Sequence, residues 1–328
     1  MNRTAIFSSA DALARLRQSV HAKAGNFYSM YSSVLGGIVT DPALMVLPLD
    51  DHMVHRGHSV FDTSTLTHGM LYQLDPHLDR LLRSAELARI PLPFAREQLR
   101  QVILDTAAAS GQRDGSIRYW LSAGPGGYGL GPAECTGSSF YVIVFKQEAY
   151  PDSYYTEGVK VVTSQIPIKP PLFARIKSTN YLPNVLVVLE AKDLGADNGV
   201  FIDQRGMVAE SSNMNVAFVT QDGVFRHPPF DAILSGITIQ RVLQFAERLV
   251  KEGDLKEIRV ADIPVGEGRQ AAEMMLIGSS IKVAPVVHWD GQPIGDGKPG
   301  PITKKLLEMW NEDARSAADQ LVAVPYPD

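Results

Sequence analysis

The chain has 328 residues, 45% of them hydrophobic and 20% charged, with a formal net charge of −5. Such a composition belongs to a globular protein with room for two cores, and the acidic balance excludes a basic nucleic-acid footprint. The single Cys135 excludes an internal disulfide framework and a cysteine-rich metal site, and no apolar run reaches membrane-spanning length. The N-terminal stretch lacks an apolar signal core, so a cytoplasmic protein is the expectation.

Residues 10–23 read as a short amphipathic helix with Leu13, Leu16 and Val20 on one side, and strand-like runs follow at 33–39 and 43–49. The stretch DDHMVHRGHSVFD, residues 50–62, places His52, His55 and His58 three apart beside two aspartates. A metal centre there lacks an evident fourth ligand. A polar loop that lines a cleft, presents Arg56 to it and then enters a strand is the alternative. Val60–Leu66 and Met70–Leu74 pattern as a hairpin around His68-Gly69. The helix PHLDRLLRSAELARI puts Leu78, Leu81, Leu82 and Ala85 on its core face and Arg80 off it. A second helix covers 95–109, with Leu99, Val102, Ile103 and Thr106 as its stripe. In the strand SIRYWLSAG, Ile117, Tyr119 and Leu121 face one way and Arg118, Trp120 and Ser122 the other. An arginine sharing a face with a tryptophan suggests a pocket wall.

Gly124 to Gly129 matches GxGxxG, but the chain then passes Pro132 into the strand SSFYVIVF. That motif needs a helix N-terminus to hold a pyrophosphate, and no Lys-Ser/Thr pair follows for a phosphate loop. We read a glycine-rich turn beside a cleft and no nucleotide site. Residues 148–158 break the hydrophobic pattern and divide the chain into a small N-terminal α/β domain (1–147), a linker and a larger domain (159–328).

The run IPIKPPLFARIKSTNYLPNVLVVL, residues 166–189, sets Lys177 between a proline-stiffened segment and a helix starting near Pro183. Val185, Leu186 and Leu189 follow at helical spacing. A lysine on a constrained connector ahead of a packed helix can sit in a partly dry pocket, where it gives up its proton more readily and can form a Schiff base. A solvated loop lysine is the competing reading. Two hairpins come next, Val200–Asp203 with Met207–Glu210 and Asn215–Thr220 with Val224–Arg226. The helix in LSGITIQRVLQFAERLV carries Ile239, Val242, Leu243, Ala246 and Leu249 on one face. It is opened by Ser235-Gly236-Ile237-Thr238, a small, donor-rich N-terminus suited to a phosphate. A strand then ends on Gly278-Ser279-Ser280, a second hydroxyl-and-amide anion contact, and a last helix spans about 301–321.

Taken in order and spacing, HRGHSVFD, HLDRL, KSTNYLPNVL, ESSNMNVAF, LSGIT and EMMLIGSS resemble the class IV aminotransferases, the pyridoxal-phosphate enzymes of fold type IV. The resemblance covers nearly the whole chain from about residue 35. It implies an α/β (α+β) two-domain homodimer with pyridoxal 5′-phosphate at the domain junction. It also implies Lys177 as the catalytic, Schiff-base lysine, Arg80 as a phosphate ligand and Glu210 as the partner of the ring nitrogen. Ile237, Thr238 and Ser279 would surround the phosphate, Gly236 and Asn215 belong to the same cofactor set, and Tyr181 would stand near the cofactor hydroxyl. Phe61, Trp120 and Ser280 fall on the substrate side. A carboxylate ~4 Å from the ring nitrogen contributes on the order of 4 kcal/mol at an effective dielectric of ~20, enough to raise the ring pKa by up to about three units. The ring then stays protonated and acts as an electron sink.

KSTNYLPNVL resembles the D-amino-acid aminotransferase and aminodeoxychorismate lyase branch, and DDHMVHRGH, RYWLSAGPG and IPIKPP resemble its plant-type members. The Arg-x-His carboxylate trap of the bacterial D-amino-acid enzymes is absent, its place falling near Tyr128-Gly129-Leu130, while Ile117-Arg118 matches a branched-chain-type strand. Arg56 and Arg118 are therefore the candidates for carboxylate binding. The expected reaction transfers an amino group from a D-amino acid or (R)-amine to a 2-keto acid. Pyruvate elimination by a 4-amino-4-deoxychorismate lyase and branched-chain amino-acid transamination are the alternatives. A non-catalytic cofactor carrier would have no need of the Lys177, Glu210 and Arg80 set. No metal ligand, nucleic acid or membrane partner is expected.

Overall fold

The computed structural model describes residues 4–20 and 22–327. Its first half runs α1 (Ser9–Gln18), β1 (Phe27–Ser32), β2 (Gly37–Val39), α2 (His52–Arg56), β3 (Ser59–Thr67) and β4 (Met70–Tyr72). Helices α3 (Leu74–Leu87) and α4 (Arg96–Ala109) and strands β5 (Gly115–Ser122) and β6 (Ser139–Phe145) complete it. Val60, Asp62, Ser64 and Leu66 form the buried row of β3, and Ile117, Tyr119 and Leu121 that of β5. Leu74, Leu78, Leu81, Leu99 and Ile103 of the two helices join the same core. A row of period two and a stripe of period 3.6 each leave one apolar face, and each removes it from water only against the other.

The second half runs α5 (Ser153–Thr156), β7 (Val159–Thr163), α6 (Pro171–Ala174), α7 (Leu182–Asp193), β8 (Asn198–Ile202), β9 (Val208–Ser211), β10 (Asn215–Val219) and β11 (Val224–His227). It continues through α8 (Ile237–Glu252), β12 (Glu257–Val260), α9 (Val265–Arg269), β13 (Glu273–Gly278), β14 (Lys282–Trp289), β15 (Gln292–Pro293), α10 (Pro301–Ser316) and β16 (Leu321–Ala323). Two sheets result. The first has the order β16-β4-β3-β5-β6-β1-β2, the second β12-β11-β10-β13-β14-β7-β8-β9 with β15 on β14. One further pairing, Asn215 with Glu210, joins β10 to β9 and closes β10-β13-β14-β7-β8-β9 into a ring. One face of these strands carries Val161, Val216, Phe218 and Trp289, and the other, through Ala217, Met275 and Ile277, packs α8 and α10.

Several local expectations are corrected. No strand forms at 43–49: Pro42–Leu44 is a single tight turn capped by Asp41, and residues 45–49 are irregular. The run 33–39 splits at a turn, leaving only Gly37–Val39 as strand. The expected loop at 50–62 contains α2, ended by Gly57 in the left-handed region that glycine adopts at least cost. Helix α1 stops at Gln18, and Leu13, Leu16 and Val20 are exposed; residue 21 of the expected span lies outside the described residues. Val185, Leu186 and Leu189 of α7 are exposed too, its buried side being Asn184, Val187 and Ala191. The last helix ends at Ser316, and β16 then crosses back to pair with β4. Among the described residues no helix is long and apolar enough to cross a membrane.

Candidate active site

Helix α3 buries two faces. Besides its apolar stripe, His77, Arg80 and Ser84 are buried at i, i+3 and i+7. Local pattern alone would leave Arg80 in solvent, yet it is only 6% exposed because Asp62 in the core-facing row of β3 holds it. Arg80 Nε and Nη2 donate to the two Asp62 carboxylate oxygens at 2.8 Å each, and Nη1 donates to the Ser235 carbonyl at 3.3 Å. His77 Nδ1 is 2.7 Å from Asp62 Oδ1. Burial pushes the Asp62 carboxyl up, but the charges and hydrogen bonds of Arg80 and His77 outweigh it and keep it ionised well below the usual carboxylate range.

The connector bearing Lys177 is clamped between these elements. The Lys177 N–H donates to Ser84 Oγ at 3.3 Å, and its carbonyl accepts from the Phe61 N–H at 2.9 Å. The side chain enters a cavity of about 520 Å³. Lys177, Arg80, Tyr181, Glu210, Asn215, Gly236, Ile237, Thr238 and Ser279 all line it, as do Phe61, Arg118 and Ser280. Lys177 Nζ donates to Tyr181 Oη at 3.3 Å and lies 4.8 Å from the Phe61 ring centroid. Burial, reinforced by the Arg80 charge, lowers the lysine to about 8, against the pull of Asp62. An amine of that kind is a nucleophile near neutral pH. Burial raises Tyr181 to about 12 and Glu210 to about 7, the latter opposed by the Leu234 N–H, which donates to Glu210 Oε2 at 3.2 Å.

At the far end, α8 starts at Gly236 with no side-chain cap, so its first N–H groups point out without a side-chain acceptor. Thr238 Oγ1 lies 3.3 Å from Ser279 Oγ, which in turn is 3.5 Å from His77 Nε2. A Cβ on residue 236 would stand 2.0 Å from Asn215 Oδ1, so glycine is what lets this turn close on the strand. Amide donors, two hydroxyls and a buried guanidinium at one end, with an amine and a carboxylate further in, fit a phosphorylated pyridine aldehyde.

Arg118 lines the cavity with Nε donating to Thr63 Oγ1 at 2.9 Å, and it has no acidic partner among the described residues. Its guanidinium sits 5.4 Å from the Phe61 ring and 5.5 Å from that of Phe145. Burial lowers its pKa, so it stands as a desolvated cation in want of an anion. Trp120 pairs across the strands with Phe61 but is not part of the lining. Arg56 lies outside the cavity and is exposed. Its Nη2 donates to the Tyr128 carbonyl at 2.6 Å and its Nε to that of Gly129 at 3.3 Å, tying down the glycine-rich loop. In α2 and just after it, His52 and His58 face each other through Nδ1 at 3.3 Å, and among the described residues no cluster could hold a metal ion.

Asp62 and Lys169 are among the cavity residues that were not foreseen. Asp62 was readable, since an acid in a row otherwise made of Val60, Ser64 and Leu66 must be paired. Lys169 also lines the cavity, its Nζ 4.9 Å from the Tyr181 ring centroid; its proline-flanked segment is stiff but does not show what the side chain faces.

The family model for amino-transferase class IV matches residues 59–289. A D-amino-acid transaminase, chloroplastic, of Arabidopsis thaliana is 55% identical over 92% of this chain and 80% of its own length. A putative branched-chain-amino-acid aminotransferase of Methanocaldococcus jannaschii is 30% identical over 85% of this chain and 94% of its own. Among solved structures, a T.th. branched-chain amino acid aminotransferase with pyridoxamine 5′-phosphate superposes with a TM-score of 0.83 at 27% identity, covering 91% of this chain and 99% of that one.

Proposed function

Because the chain belongs to the class IV aminotransferases, we propose that it moves the amino group of a D-amino acid or (R)-amine to a 2-keto acid, with Lys177 as the catalytic amine. The cofactor is pyridoxal 5′-phosphate, which when bound supplies an aldehyde and a protonated ring that draws electrons from the carbon carrying the amino group. Lys177 would be the amine that holds the cofactor through its aldehyde, and the same amine is placed to hold and move a proton. Glu210 would be the carboxylate that favours a proton on the ring nitrogen. Tyr181 Oη accepts from Lys177 Nζ and steadies it. Arg80, the free N–H groups at Gly236–Thr238 and the Ser279 hydroxyl hold the phosphate.

The observation that carries the substrate reading is Arg118, a cavity guanidinium whose only polar side-chain partner among the described residues is the neutral Thr63. An α-carboxylate is the anion that completes it. Preference for D-amino acids rests on the similarity to the Arabidopsis transaminase. A donor and acceptor screen on purified protein tests the whole reading, following keto-acid amination alongside pyruvate release from aminodeoxychorismate. Pyruvate release without amination would move the assignment to a lyase.

The division at 148–158 and a homodimeric state belong to the same proposal. Leu182, Val185, Leu186 and Leu189 on α7, with Leu172 and Phe173, leave an apolar surface that a second copy would cover. Sedimentation of the wild type and of Leu186→Glu checks this, with a shift of the variant toward monomer expected. The cytoplasmic location expected from the sequence is checked by fractionating the source cells.

A further inference from the structure

Tyr181 stands between two lysines. Its ring centroid is 4.9 Å from Lys169 Nζ and 5.7 Å from Lys177 Nζ, and Phe61 closes against it at 5.2 Å with the rings at 65°. Lys169 is carried by the run Pro167-Ile168-Lys169-Pro170-Pro171, whose pyrrolidine rings restrict the backbone and hold the side chain on the cavity wall. Among the described residues it makes no direct ion pair, and its charge acts on the Glu210 carboxyl and on Tyr181. We propose that Lys169 is a positioning residue: its ammonium pins the Tyr181 ring so that the phenol stays against Lys177 Nζ, and its charge loosens the proton on that nitrogen. The proposal rests on the reading of Lys177 as the cofactor-linked lysine.

The charged groups around Lys177 are Arg80 on α3 and Arg118 on β5, which repel its proton, and Asp62 on β3 and Glu210 on β9, which attract it. Lys169 adds a third cation from the side of Tyr181 and Glu210, the two titratable groups that feel it. From the shared ring centroid the two lysine nitrogens are at most roughly 11 Å apart, and at ~10 Å and an effective dielectric of ~20 a unit charge moves a neighbour's titration midpoint by about one pH unit.

The test compares wild type with Lys169→Met, which keeps length and loses charge, and Lys169→Arg, which keeps charge. In the holoprotein, the pH at which the visible band of the Lys177-bound cofactor gives way to its near-ultraviolet band is read by absorbance. In cofactor-free protein, the pH dependence of reductive methylation at Lys177 is read by peptide mass. Lys169→Met should raise both midpoints by about one unit, and Lys169→Arg should leave them within a few tenths of wild type. Midpoints unchanged or lowered in Lys169→Met, or raised equally in Lys169→Arg, would overturn the proposal. A wild type with no visible band would remove the cofactor reading instead, and the methylation midpoints would then decide the role of Lys169 alone.

Discussion

Asp62 and Arg80 hold each other through two hydrogen bonds of 2.8 Å, one to each carboxylate oxygen, with neither residue more than 6% exposed. The pair leaves Arg80 Nη1 directed to the Ser235 carbonyl just ahead of α8, so one guanidinium spans from the first sheet to the proposed phosphate cradle. The fork geometry fixes the guanidinium plane, which a lysine ammonium at the same position would not do.

Asp62→Asn leaves Arg80 buried without its counter-charge, and the expected loss of stability at pH 7 is about 3–5 kcal/mol. The folded-state carboxyl is held below its ordinary value of 3.8, so its contribution is complete above that value and fades as pH falls through the lower folded one. Thermal unfolding of both proteins across the acid range checks this. The gap between them should be constant above about pH 4 and narrow below it; a gap independent of pH would assign the loss to packing.

Lys177 should become reactive as pH passes about 8, the value to which burial and Arg80 lower it. Addition of pyridoxal phosphate to cofactor-free protein should therefore give a yellow complex at a rate that climbs through that pH. Borohydride reduction should leave the label on the peptide containing Lys177. A label on Lys169, the other cavity lysine, would reverse their roles.

Glu210 is raised to about 7 by burial, a cost the folded protein bears when the carboxylate is charged with no ring nitrogen beside it. Its folded pKa lies above the ordinary 4.5, so the folded state binds more protons between those values and stability falls as pH rises across them. Cofactor-free Glu210→Gln should thus be the more stable protein at pH 8, by up to about 3 kcal/mol. Turnover of its holoenzyme should be strongly reduced. Melting and turnover measured on one preparation test both halves, and near-normal turnover would show that another group protonates the ring.

Arg118→Ala should raise KM for amino and keto acids by about 10- to 150-fold, the equivalent of a charge-assisted bond of roughly 1.5–3 kcal/mol. An (R)-amine without a carboxylate should be much less affected. Arg56→Ala is expected to change KM by less than about threefold, since a solvent-exposed contact to loop carbonyls contributes little. Equal losses for carboxylated and uncarboxylated donors in Arg118→Ala would mean that this arginine shapes the cavity without reading the carboxylate.

What was legible in the sequence was local. The hairpins at 59–72, 198–211 and 215–227 and the helices α3, α4 and α8 follow from side-chain periods of 2 and 3.6 and from turn residues, which act within a few positions of the chain. The motifs around Lys177, Glu210 and Gly236 were legible through the order and spacing that carry the family resemblance, and the buried acid at Asp62 could have been read from its row. The tertiary structure alone decided what those pieces face. Leu13 and Val185 have the spacing of packed residues, yet both remain exposed within the described residues. Leu321–Ala323 pairs with β4 across most of the chain's length, and Asn215 meets Glu210 to close the ring of strands. Arg56 and Arg118 were equal candidates as residue types, but only Arg118 reaches the cavity. Lys169, set among prolines that stiffen its segment without showing what it faces, comes to rest on Tyr181. Burial and charge pairing depend on which distant segment arrives opposite a side chain, and no pattern within one segment carries that information.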